Sequence, residues 1–150
     1  MRAFHYRLER LLSLRRHRER EWEIRLAEVT GHCVKLAREI EERSFKKAEA
    51  LLSGLRGESV HDYLVTHEYM KRLDQEIEKK GAELAVRERE RGEIQTEYLK
   101  ASRDRKVLDN LKAKREAEYR KEQKVEEVKE IDDINTGRAA RVNPAAELES

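Results

Sequence analysis

Leu8, Leu12, Trp22, Leu26, Val29, Cys33, Leu36 and Ile40 recur at steps of four and three, with Arg15 and Glu19 filling the steps between Leu12 and Trp22. An apolar residue every 3.5 positions keeps one face of a helix turned to a partner and winds the pair into a left-handed supercoil. The spacing therefore predicts one helix from about residue 4 to about 53. Gly31 interrupts its propensity at a cost of about 1 kcal/mol and is read as a tolerated weak point.

Gly54 and Gly57 fall within the next stretch, where a left-handed glycine cap can end a helix, and Ser59 precedes Asp62 by three, a capping-box-like start for another. The second seam carries Tyr63, Met70, Leu73, Ile77, Leu84, Ile94, Tyr98, Ala101, Leu108 and Tyr119. Lys80, Arg87, Arg91, Arg105, Lys112 and Arg115 occupy its intervening positions. Long basic stems can cover apolar neighbours while their charged heads reach water, so these residues weaken the seam without abolishing it.

A link of about five residues forces two long helices to lie side by side. The expected fold is all-α: two long helices forming an antiparallel coiled-coil hairpin, the second longer. It occupies residues 1–136, with helices over about 4–53 and 59–135 around a turn at about 54–58, and leaves 137–150 as a flexible C-terminal tail. With the turn near residue 56, position 8 faces a position near 104, and everything past about 110 overhangs the paired region.

Composition excludes other classes. Charged residues are 44 % of the chain and hydrophobic ones 37 %, with one Trp and two Phe, poor stock for a layered enzyme core. The 34 basic and 32 acidic side chains nearly balance, which suits solvated helices better than a disordered polyelectrolyte. Cys33 is the one cysteine, so no internal disulfide can form and a reducing, cytosolic setting is expected. The N-terminus carries no apolar signal-peptide core, and no run is long enough to span a bilayer.

Catalytic chemistry is not expected. The histidines at 5, 17, 32, 61 and 67 include no pair at the three- or four-residue spacing of helical zinc ligands. Cys33 sits on the seam as a small buried side chain, and Trp22 is read as a seam plug, with a binding anchor as the minority reading. No glycine-rich phosphate loop exists, and paired helices offer no concave site in which to separate two carboxylate acidities. The expectation is a non-enzyme with no cofactor and no metal.

Charge clusters point instead to a protein partner. Residues 15–20 are rich in arginine, the span 101–121 has eight basic and four acidic residues, and 126–133 has five acids against one lysine. Interspersed Glu and the lack of an aromatic array speak against nucleic acid as partner, although a basic helical nucleic-acid binder stays open as an alternative, as does a coiled-coil spacer or adaptor.

The pattern Phe4-x-x-Arg7-Leu8-x-x-Leu11-Leu12-x-Leu14-Arg15, the two heptad helices around a glycine turn, and the C-terminal Ala117-Glu118-Tyr119-Arg120-Lys121-Glu122-Gln123 followed by Glu126-Glu127 and Asp132-Asp133 resemble the FliJ family of the bacterial flagellar type III export apparatus. The resemblance implies a cytoplasmic antiparallel coiled coil, similar to the stalk hairpin of rotary ATPases, working at the cytoplasmic face of the inner membrane. It implies binding to the flagellar export ATPase (FliI) with promotion of its ring assembly, and contact with the export gate protein (FlhA); some members escort export chaperones. It assigns the ATPase contact to Leu8, Leu11, Leu12, Arg15, Tyr119, Arg120 and Glu122. The gate contact falls on the paired helices, with no residues assigned.

Overall fold

Two helices, α1 (Glu9–Leu55) and α2 (Val60–Val142), account for nearly all of the described chain, and they pack antiparallel with the second much the longer. The computed structural model describes residues 3–57 and 59–142. Covered positions on α1 step through Leu12, Arg15, Glu19, Trp22, Leu26, Val29, Cys33, Leu36, Ile40, Arg43 and Lys47 in the heptad order of the sequence. On α2 the covered seam runs Met70, Leu73, Ile77, Lys80, Leu84, Arg87, Arg91, Ile94, Tyr98, Ala101, Arg105, Leu108 and Lys112. Tyr63 and Arg115, expected on this seam, are exposed.

The packing divides into two units, one of Leu14–Asp104 and one in which residues up to Ser13 join those from Arg105 onward. Within the first, Val29, Cys33, Leu36, Leu73 and Ala101 form the dry stripe. Ion pairs flank it: Glu39 with Lys80 at 2.6 Å, Arg43 with Glu76 at 2.8 Å and Lys47 with Asp74 at 2.6 Å. Successive steps of four forward on α1 are answered by steps of four and then two backward on α2, the opposed order of an antiparallel pair. Trp22 lies half-covered on the seam with the Arg25 guanidinium 4.8 Å above its ring, a cation–π contact that shields its outer face.

The turn departs from the expected left-handed glycine cap, because none of the described glycines has positive φ. Gly54 is instead the penultimate residue of α1, which closes with tightened bonds from Arg56 N to Ser53 O and from Gly57 N to Gly54 O. What requires glycine is proximity: a Cβ at position 54 would stand 2.8 Å from the Thr66 methyl. That methyl is held in place, since Thr66 Oγ1 donates to Asp62 O at 2.9 Å. Ser59 caps α2, its hydroxyl accepting from Asp62 N at 3.1 Å.

Three further boundaries differ from expectation. The helix starts at Glu9 and not near residue 4, for a reason that belongs to the site below. Because α1 stays helical to Leu55 and α2 opens only at Val60, the hairpin's centre falls later than residue 56, and Glu9 pairs with Lys112 at 2.8 Å instead of a residue near 103. At the far end α2 continues through Gly137 to Val142, so 137–142 are helical and not tail; 143–150 lie outside the described residues. One glycine costs about 1 kcal/mol, which the helix formers Arg138, Ala139, Ala140 and Arg141 around it offset.

Three outcomes follow from this packing. Leu12 is 0 % exposed, so Leu12→Ala is expected to cost about 2–5 kcal/mol in urea unfolding, against under about 1 kcal/mol for its outward neighbour Leu11. Gly54→Ala gains about 1 kcal/mol of helix propensity but overpacks Thr66 by about 1–3 kcal/mol, for a net loss. In a Thr66→Ser background, which keeps the hydroxyl and removes the methyl, the same change should become stabilising. The hydrogen bond from Lys80 holds the Glu39 carboxyl below the usual carboxylate range, helped by charge from Lys80, Lys35 and Arg43 and opposed by partial burial. A depressed folded value means stabilisation that is complete above the unfolded value of about 4.3 and lost as pH falls through the folded one. Urea midpoints of wild type and Glu39→Gln, separated at neutral pH, should therefore converge in acid.

Candidate docking surface

Where α1 gives out, the chain changes period. From Phe4 to Leu8 covered and exposed residues alternate, with Phe4, Tyr6 and Leu8 turned inward and His5 and Arg7 outward. This is the period of an extended chain and not of a helix. Ending the helix at Glu9 lets these residues lie along α2 as a strap, whose last turn closes with Glu9 N bonding to Tyr6 O at 3.1 Å.

The strap and α2 build a small core of their own from Tyr6, Leu12 and Leu108, with Phe4 and Leu8 packed against it. Tyr6 is 4 % exposed, and its phenol donates to the Leu108 carbonyl at 3.2 Å, satisfying a hydroxyl that would otherwise be buried without a partner. Lys112 Nζ, paired with Glu9, lies 6.0 Å from the Tyr6 ring. The Phe4 ring meets Tyr119 at 5.5 Å between centroids, tilted by 46°. Gln123 Nε2 donates to the Tyr119 hydroxyl at 2.7 Å. Cover on α2 thus reaches Gln123, well beyond the expected limit near 110, and residues 124–142 are all exposed.

Six of the seven candidate partner-binding residues belong to this unit. Leu12 is fully buried and Leu8 half-buried, so both act by holding the strap and α2 together, whereas Leu11 is 39 % exposed. Tyr119 is half-covered by Phe4, Arg120 is exposed and paired with Glu116 at 2.9 Å, and Glu122 is exposed. The seventh, Arg15, belongs to the Leu14–Asp104 unit, where its guanidinium donates to the Asp104 carbonyl at 2.8 Å. Tyr6 was absent from the heptad reading because it lies off that register; the Phe4-x-Tyr6-x-Leu8 alternation is the signal that reveals it.

Beyond Gln123 part of the helix's exposed surface is an apolar stripe, with Asp132 inside it and most of the acids outside it. Val125, Val128 and Ile131, each more than half exposed, fall within a sector of about 120°, and Glu126, Glu130 and Asp133 lie across the helix from it. An exposed stripe of β-branched side chains on an otherwise charged helix is a surface suited to a protein partner. The described residues hold no group of three His, Cys, Asp or Glu placed to share a metal ion, and none of their helices is long and apolar enough to cross a membrane.

Among curated proteins and among solved structures, nothing matches the chain. A family model does match: the one described as flagellar FliJ protein, over residues 4–144. That span takes in both helices, the glycine turn and the strap. The chain belongs to the FliJ family and is a component of flagellar type III protein export.

Proposed function

We propose that the chain works without catalysis of its own, binding the flagellar export ATPase (FliI), promoting its ring assembly and activity, and coupling it to the export gate protein (FlhA) at the cytoplasmic face of the inner membrane. In the same role it escorts export chaperones. The observation that carries this reading is the FliJ family match over nearly the whole chain. The exposed helix beyond Gln123, with its Val125, Val128 and Ile131 stripe, gives the ATPase contact a physical basis, because a protein partner can bury that stripe. Tyr119, Arg120 and Glu122 precede it on α2 and Leu11 is exposed on the same unit, while Leu8 and Leu12 hold that unit together.

A truncation tests the assignment if it spares the packed part. Ending the chain after Gln123 keeps Tyr6, Leu12, Leu108, Phe4 and Tyr119 in place and, among the described residues, removes only exposed helix. With purified FliI, the full chain should bind, raise ATP hydrolysis and promote ring assembly. The shortened chain should lose binding by at least about tenfold, since burying three β-branched side chains is worth several times 1.4 kcal/mol. Equal binding by both chains would move the contact away from the helix beyond Gln123, and binding by neither would favour a spacer.

A further inference from the structure

The stretch of α2 from Leu108 to Gln123 has a stability problem that its own sequence does not solve. It contains Lys112, Lys114, Arg115, Arg120 and Lys121, and i,i+4 pairs such as Arg120 with Glu116 each stabilise it only weakly. A solitary helix of this kind is marginal in water, because tertiary packing of an apolar face supplies most helical stability. The first helical turn of α1 reaches only as far as Lys112, through Glu9. From there to Gln123 the packing partner is the strap.

We infer that residues 3–8 are a clasp that keeps α2 helical from Leu108 to Gln123, so that the helix beyond is presented from a rigid base. Two contacts do this. Tyr6 inserts a buried ring and ties its phenol to the Leu108 carbonyl, and Phe4 sets its ring on Tyr119, which in turn accepts the hydrogen bond from Gln123. From Glu9 back to Phe4 the chain moves five residues, yet its contacts advance seven residues along α2, from Lys112 to Tyr119. A helix would advance at most one residue for one. Arg7 and Leu8 form the turn that Glu9 N closes on Tyr6 O, and the non-helical Phe4–Tyr6 stretch before it can cover more than the roughly 1.5 Å per residue of a helix, which lets so short a segment reach Tyr119.

The clasp also bears on partner binding, a consequence that rests on the docking function proposed above. A partner that grips α2 beyond Gln123 finds its helix ordered when the clasp is closed, and must supply that ordering itself when the clasp is open. Opening the clasp therefore weakens docking without touching a residue of the exposed stripe.

Hydrogen exchange on the full chain alone, with no partner present, tests the clasp directly. Tyr6→Phe keeps the ring and removes one hydrogen bond, and amides of residues 109–123 should exchange about fivefold faster. The double variant Phe4→Ala, Tyr6→Ala should accelerate them at least about tenfold, while amides at Val29, Cys33 and Leu36 keep their wild-type protection. Unchanged exchange over 109–123 would overturn the clasp. So would equal loss at Val29–Leu36, which would make the strap an ordinary contributor to global stability. Failure to bind FliI would leave this readout unaffected, so the two proposals fail separately.

Discussion

A helix whose apolar surface is one side chain wide cannot keep that surface dry by itself. Each seam here is a single stripe on a largely charged cylinder, and a second helix at close range is the smallest structure that covers it. The consequences run through the whole molecule. Small and medium side chains such as Cys33, Ala101 and Leu73 suffice as core, because only two helices must meet. Charged residues can sit on the seam itself, as Lys80, Arg87 and Arg91 do, since their stems fill the stripe while their heads reach acids or water at its edge.

Stripes alone leave the register open, because a heptad seam matches its partner equally well after a slip of seven residues. The flanking pairs Glu39 with Lys80, Arg43 with Glu76 and Lys47 with Asp74 select one alignment, with complementary charges at successive turns. Exposed ion pairs are individually weak, yet a slip would break them together and set other charges face to face. At the turn the selection is steric. Gly54 admits Thr66 where a Cβ would collide, so the two helices approach closely at that point.

At the other end of the chain, charge and packing have separate tasks. Tyr6, Leu12 and Leu108 bury a few rings and methyl groups, which holds α2 helical where α1 no longer reaches. The helix beyond Gln123 keeps its Val125, Val128 and Ile131 stripe exposed, with Glu126, Glu130 and Asp133 across from it, an arrangement compatible with later burial against a protein. FliJ membership gives this arrangement its setting in flagellar export.

Helical class, the two seams and the Ser59 cap were legible in the sequence because each depends on neighbours within about seven positions: a 3.5-residue period or one hydroxyl three residues before an amide. The candidate docking region was legible in outline for the same reason, as local charge and apolar content around Tyr119. What the sequence could not decide were quantities that depend on where the partner strand of chain lies. The glycine at 54 was read for its dihedral freedom, but its neighbour Thr66 sits across the turn. Helix was expected from residue 4, but Phe4 and Tyr6 gain more by lying extended along α2 against Tyr119 and Leu108, contacts more than a hundred residues away in sequence. Leu12 looked like a docking residue and is the most deeply buried side chain of its unit. Periodicity along one chain determines which face of a helix must be covered; only the fold decides what covers it, because burial belongs to two surfaces at once.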